Sequence, residues 1–274
     1  MNQNLDRKKN IDIIQKETRC PVKLNRKRFA SPKRMRRAFL YLFVLLISCS
    51  GPQSPEFYLR EGDICVKENN LFLAIRRYRK AIELNPQFGE AYFARGKVFY
   101  SRGEFSRAIL DFNTAKELLP FKPEIYFYLG NSYQRLEEYE SAIKNYNQCL
   151  LLNPNFDSAY YERGNVHMKQ GSYEAAIKDY SEAIRVNPLF AEAYYNRGVA
   201  FLLLKDYNQA IQNLHHYLQL NPEDPAGKSN LGYAYSALGE KEKARYWLLA
   251  ALADKDKLED RGKRILEILE SLDR

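Results

Sequence analysis

A glycine followed twelve residues later by an alanine occurs six times at an unbroken step of 34 residues: Gly62/Ala74, Gly96/Ala108, Gly130/Ala142, Gly164/Ala176, Gly198/Ala210 and Gly232/Ala244. Prolines keep the same step at Pro86, Pro120, Pro154, Pro188 and Pro222. A tyrosine stands four residues before five of the glycines, at Tyr58, Tyr92, Tyr126, Tyr160 and Tyr194. A period of this size, kept without one insertion, describes an array of equal supersecondary units rather than a single globular core. No unit buries its apolar face alone, so stability comes from each copy together with its nearest neighbours.

One copy, Pro123 to Phe156, shows what each unit is. Tyr126, Leu129, Gly130 and Tyr133 fall on one face of a first helix, and Ala142, Ile143, Tyr146, Cys149 and Leu150 on one face of a second. Gly130 has no side chain, which lets the second helix approach closely with Ala142 expected to face it. Pro154 removes a backbone donor and biases Asn153 away from helical angles, which ends the second helix. Gly103, Gly171 and Gly239 supply the turn between the two helices, and Glu137 and Lys205 hold that place in other copies.

The recurring small, aromatic and proline positions, with their 34-residue step, resemble the tetratricopeptide-repeat family across residues 55–258. The resemblance implies an all-α, right-handed α-solenoid of six helix pairs, at 55–88, 89–122, 123–156, 157–190, 191–224 and 225–258. A capping helix at 259–274 is expected to close it, with Ile265, Leu266, Leu269 and Leu272 on one apolar face. Its implied role is to hold a protein or peptide in a concave groove lined by positions 2, 5, 9 and 12 of each copy. The expected partner-binding residues are then Phe93, Phe127, Tyr161 and Tyr195 at position 5, Lys97, Asn131 and Asn165 at position 9, and Tyr100, Gln134 and Met168 at position 12. On this reading the asparagine amides pair with the backbone of an extended peptide while the rings grip its side chains. Packing between neighbouring repeats is an equal alternative for each ring. One subgroup of the family reads terminal carboxylates with lysine at position 5. Here aromatics stand in that place, and Glu56, Glu90, Glu124 and Glu192 fill position 2, so that ligand class is not expected.

Charge sorts the chain differently from the repeats. Residues 1–37 hold 13 Lys+Arg against 3 Asp+Glu, whereas residues 38–274 hold 30 against 31. The folded part is close to neutral, which argues against nucleic acid as a partner. Residues 1–34 are basic, polar and without apolar periodicity, and are read as a disordered segment with Met35 as the expected start. From Ala38 to Ile47 the chain reads AFLYLFVLLI after Lys33, Arg34, Arg36 and Arg37, the pattern of an export signal over 35–48. As a helix those ten residues reach about 15 Å, half of a bilayer's hydrocarbon core.

The run ends in Leu46-Ile47-Ser48-Cys49, which resembles the bacterial lipobox. That resemblance implies lipidation of Cys49, a short linker over 49–54, and a membrane contact made through the lipid anchor. The expected setting is the bacterial cell envelope, at the outer membrane facing the periplasm. Assembly of an envelope, outer-membrane or pilus complex is the first expectation there. Two alternatives stand beside it: an adaptor regulating an envelope enzyme such as a peptidoglycan hydrolase, and a cytoplasmic adaptor read from Met1.

Catalytic and metal chemistry find little support. His215 and His216 are adjacent in a helix and diverge by about 100°. His167 occupies a core position, filled by Cys65, Phe99, Tyr133, Phe201 and Tyr235 in the other copies. Cys65 and Cys149 lie two repeats apart, about 20 Å, too far for a disulfide. The chain has no Walker loop, GxSxG or HExxH. It is therefore expected to be no enzyme, and to take no cofactor, metal or small-molecule substrate.

Overall fold

The computed structural model describes residues 54–253 and 261–272. The readings placed on residues 1–53, the export signal and Cys49 among them, lie outside the described residues. Thirteen helices and no strand form the described part. They pair as α1 (Pro55–Lys67) with α2 (Leu71–Leu84), α3 (Gly89–Ser101) with α4 (Phe105–Leu118), and α5 (Pro123–Arg135) with α6 (Tyr139–Leu152). The array continues with α7 (Asp157–Lys169) and α8 (Tyr173–Val186), α9 (Ala191–Leu203) and α10 (Tyr207–Leu220), α11 (Pro225–Ala237) and α12 (Lys241–Leu252), and ends on α13 (Arg261–Leu272).

Local chemistry starts and stops these helices. Pro55, Pro123 and Pro225 each open a first helix, where a missing amide costs nothing. Ser54, Asn70, Asp206 and Asp224 accept a backbone N–H as N-caps. All six turns within the pairs share one left-handed residue: Asn69, Gly103, Glu137, Gly171, Lys205 and Gly239, with φ between 58° and 76°. Four of the second helices stop where an asparagine precedes proline, at Asn85, Asn153, Asn187 and Asn221, and Leu119 takes that place before Pro120. Asn153 is extended at φ −137° and ψ 92°, and its side chain accepts the N–H of Asn155 two residues on; Asn85 and Asn187 do the same for Gln87 and Leu189.

Inside each pair the glycine makes room for a different residue from the one its spacing suggested. A Cβ on Gly130 would lie 2.5 Å from the ring of Tyr146, not against Ala142. The same seat holds Tyr78 at Gly62, Phe112 at Gly96, Tyr180 at Gly164, Leu214 at Gly198 and Leu248 at Gly232. Each of these is a large side chain sixteen residues after its glycine. The six recurring alanines are fully buried beside them.

A second device inside the pairs is ionic. Arg95 grips Asp111 through two hydrogen bonds of 2.8 and 2.7 Å, and Arg163 grips Asp179 in the same way. Arg197 donates to the Asn213 carbonyl at 2.6 Å. Leu129 and Leu231 hold the arginine's place in the third and sixth copies, where they are fully buried. Both aspartates are buried, so removing either partner would strand a charge.

Successive pairs stack so that each second helix packs on the first helix of the next copy, giving a right-handed solenoid. At its end α13 packs on α12 and α11. Ile265, 1% exposed, and Leu272 are buried there with Ile268 and Leu269 half-buried behind them. Leu266, expected on this face, is 52% exposed instead, because the helix is rotated to present Ile268.

Candidate binding groove

First helices of neighbouring copies touch one another along the whole array, whereas second helices make no comparable contact. The row that is drawn together is the inner side of the curve, so α1, α3, α5, α7, α9 and α11 line the concave face. Positions 5, 9 and 12 of each copy lie on it, but the structure gives them other work than gripping a ligand.

Phe93 does not belong to the exposed groove. It is 6% exposed and packs on Phe112 and Tyr128, with ring centroids 5.9 and 5.7 Å away. Lys122 lies 4.8 Å from the centre of the same ring and is bound by Glu90, and the exposed Lys97 lies 5.0 Å from it. Tyr100 is half-buried, edge-on to Phe105 and Tyr128. Aromatic rings this close to a core face fill volume first.

The asparagines at position 9 are committed to the core. The large residue seated on each glycine is a tyrosine in the first, third and fourth copies, and its buried hydroxyl needs an acceptor. Tyr78 donates to Asp63 at 2.8 Å, Tyr146 places its single O–H between the side-chain oxygens of Asn131 at 2.6 Å and Gln134 at 2.5 Å, and Tyr180 donates to Asn165 at 2.8 Å. From there the bonds continue across copies: Gln134 and Asn165 both donate to Glu162, and Asn196 donates to Asn165 and to the hydroxyl of Tyr161. The middle of the concave face is thus one connected polar network. Burial, above all, pushes the Tyr146 and Tyr180 hydroxyls far above the usual phenol range, so they stay neutral donors.

The position 5 rings pack on later residues of their own copy, and the hydroxyls of Tyr161 and Tyr195 are reached from the next copy. Phe127 stacks on Phe156 at 5.0 Å, Tyr161 lies 4.8 Å from Phe190, and Tyr195 lies 4.9 Å from Tyr217. Asn230 donates to the Tyr195 hydroxyl at 3.1 Å, repeating the Asn196–Tyr161 bond one copy earlier. Met168 is half-buried.

Toward the C-terminal end the face changes character. Leu214 and Leu248 replace the seated tyrosines, no hydroxyl asks for an acceptor, and Val199 and Tyr233 occupy position 9. A cavity of about 450 Å³ opens there, lined by Tyr195, Val199, Leu202, Leu203 and Tyr233, with Arg264 and Ile268 of α13 closing its far side. The Arg264 guanidinium stands 5.1 Å over the Tyr233 ring. Asn196 and Asn230 border the cavity, and their side-chain oxygens accept no bond among the described residues. Of the expected partner-binding residues only Tyr195 lies here. The signal for the others was present: asparagine recurs at position 6 in the last two copies while the position 9 polar residue disappears.

The histidines and cysteines have local partners or none. His215 shares a 3.0 Å hydrogen bond with Tyr235, and His216 faces the Tyr194 ring at 5.3 Å, so the two rings serve different neighbours. His167 stands 3.7 Å from Asp179. Cys65 and Cys149 are free and buried, and burial pushes the Cys149 thiol up to about 12.

Family models described as TPR repeat match residues 62–101, 96–137, 135–171 and 164–205, and one described as tetratricopeptide repeat matches 191–224. Among solved structures, MamA is 26% identical, with a TM-score of 0.57 over 59% of this chain and 94% of its own. YrrB, described as a TPR protein with an unusual peptide-binding site, is 23% identical, with a TM-score of 0.54 over 61% of this chain and 86% of its own. PilF of Pseudomonas aeruginosa is 16% identical, with a TM-score of 0.67 over 78% of this chain and 97% of its own. No curated protein matches the sequence.

Proposed function

The chain belongs to the tetratricopeptide-repeat family, and on that premise we propose that it is a lipid-anchored scaffold of the bacterial envelope whose groove holds an extended polypeptide at its C-terminal end. A fold of this kind serves protein interaction, and the family supports that general role. The observation that carries the finer reading is the cavity between the last two copies and α13. It joins an apolar floor to two asparagine oxygens of successive copies, which can accept the N–H groups of an extended strand. The middle of the groove offers less, since its polar atoms are spent on one another. The peptide-binding site described for YrrB supports the choice of a peptide as the ligand class.

Site-specific photo-cross-linking in cells tests the groove. A photoreactive residue at Leu203, 49% exposed at the cavity, should yield a defined polypeptide adduct. The same residue at Lys144, on an outer helix, should not. Adducts at Lys144 alone would place the partner on the other face.

The envelope setting is supported by the basic flank, the apolar run at 38–47 and the residues Leu46 to Cys49. Cys49→Ala should move the protein from the detergent-rich to the aqueous phase in detergent partitioning. A wild-type chain that stays aqueous in a bacterial host would remove the anchor from this reading.

A further inference from the structure

The outer face of the first copy carries a charge pattern that recurs nowhere else in the array. In α2 the residues Arg76, Arg77, Arg79 and Lys80 fall together, and no other outer helix has more than one Lys or Arg at the four equivalent positions. Their charges are poorly answered. Arg76 and Arg79 are exposed and have no ion-pair partner among the described residues. Arg77 reaches Glu61 only at 3.9 Å, beyond hydrogen-bonding distance. Lys80 meets Glu83 at 3.1 Å with both side chains about half exposed, a contact worth little in water.

These cations surround a concavity of about 490 Å³ whose other walls are Tyr58, Leu73 and Glu83. Phe72, one turn before Arg76 on the same stripe, projects with 68% of its surface exposed. A cationic stripe with only two weak, partly exposed ion pairs, beside a protruding ring, matches the interface of an anionic bilayer, where guanidinium groups meet headgroup phosphates and the ring enters the acyl boundary. Glu83 is the single carboxylate on the concavity and sits at its C-terminal edge.

We infer that the outer face of α2 is a second membrane contact, which lays the first copy against an anionic lipid surface. The inference deepens the anchor reading and rests on it for geometry. Cys49 precedes Pro55 by six residues, which at full extension span about 20 Å. A lipid on Cys49 would therefore keep α2 within reach of headgroups, and the stripe would turn a tether into a fixed orientation. The groove's C-terminal cavity, at the far end of the stack, would then stand away from the bilayer.

Flotation of the full chain carrying Cys49→Ala, so that no acyl group contributes, tests the stripe by comparison among variants that all keep the basic residues 1–37. Vesicles of phosphatidylcholine are compared with vesicles containing phosphatidylglycerol, at low and at high salt. Anionic vesicles should bind preferentially, and high salt should abolish the preference. Arg76→Glu with Arg79→Glu and Lys80→Glu should weaken the anionic binding by at least about tenfold, since each basic residue near such a surface contributes on the order of fivefold. Lys144→Glu with Lys178→Glu on neighbouring outer helices should leave it unchanged. Equal flotation on both lipids, set by the apolar segment alone, overturns the inference without touching the anchor. A short oligonucleotide that displaces the vesicles at equal charge assigns the stripe to nucleic acid and overturns it as well. Failure of the anchor shows separately, in the detergent partitioning of the wild-type chain.

Discussion

The third and fourth copies and the fifth and sixth copies present two inner faces built from the same backbone. In the former, Tyr146 and Tyr180 claim Asn131, Gln134 and Asn165. In the latter, Leu214 and Leu248 claim nothing, and Val199, Leu202 and Tyr233 border an open cavity. One buried hydroxyl therefore decides whether a stretch of the groove is occupied from within or left for a ligand. The chemistry displayed on the surface is set by a residue that no ligand touches.

The most forceful way to test the difference is at the glycines under those residues. Gly130→Ala drives a methyl group to 2.5 Å from the Tyr146 ring and should cost about 3 kcal/mol, at the upper end of ordinary overpacking. Gly198→Ala meets Leu214 at 3.1 Å, and the better helix propensity of alanine, about 1 kcal/mol, offsets much of the strain. Hydrogen exchange resolved by copy should show lost protection around Tyr146 and little change around Leu214. Equal losses would mean that both seats are equally rigid.

The hydroxyl itself comes next. Asn165→Leu leaves Tyr180 without its acceptor and should destabilise by about 2 kcal/mol. Adding Tyr180→Phe should recover most of that, because both halves of the bond are then gone. In the fifth copy Val199→Asn has no hydroxyl to serve and should stay within about 0.5 kcal/mol of the parent. Urea titrations of the three variants and the parent check the pattern, and an unrescued double variant would dissolve the pairing.

The turns should not distinguish the two regions at all. Glu137 and Lys205 hold left-handed angles that cost an L-residue roughly 1 kcal/mol. Glu137→Gly and Lys205→Gly should each raise stability by up to about 1 kcal/mol, less the extra chain entropy glycine brings. Thermal unfolding of the two single variants would reveal any inequality.

Acid gives the smallest effect. Burial holds the imidazoles of His167 and His215 below the usual histidine range, outweighing the opposing pull of Asp179 on the first, with Arg163 adding to the first and His216 to the second. The folded state binds these protons less readily than the unfolded chain, so the stability they contribute is whole above about pH 6.5. It is lost as pH falls through the lowered values. Melting at pH 7 and pH 5 should show a decline that His167→Gln and His215→Gln each reduce.

What could be read from the chain alone followed from chemistry that acts within a few residues. Asn153 before Pro154, the glycines at 103, 171 and 239, and their substitutes Glu137 and Lys205 describe turns and stops without reference to anything distant. Roles that depend on where a long side chain ends were harder. The partner of Gly130 proved to be Tyr146, because a ring from the next helix reaches past Ala142 to the gap. Asn131 and Asn165 have the spacing of peptide clamps, but the hydroxyls of Tyr146 and Tyr180 beneath them occupy their side-chain oxygens. Phe93 looked like an anchor although Tyr128 and Phe112 enclose it. Yet the pairings were written at a fixed interval: Asp63 with Tyr78, Asn131 with Tyr146 and Asn165 with Tyr180 are all fifteen residues apart. In α13 a rotation of the helix exchanged Leu266 for Ile268, a choice that periodicity alone does not make.

That fifteen-residue partnership gives the copies unequal freedom to diverge. A change at position 9 of the third or fourth copy carries a cost until its tyrosine changes too, so new ligand chemistry there needs two coordinated mutations. In the fifth and sixth copies one mutation suffices, because leucine in the core makes no demand on the surface. Descendants of such a chain would acquire new partners from the C-terminal end, with the middle of the array inherited nearly intact.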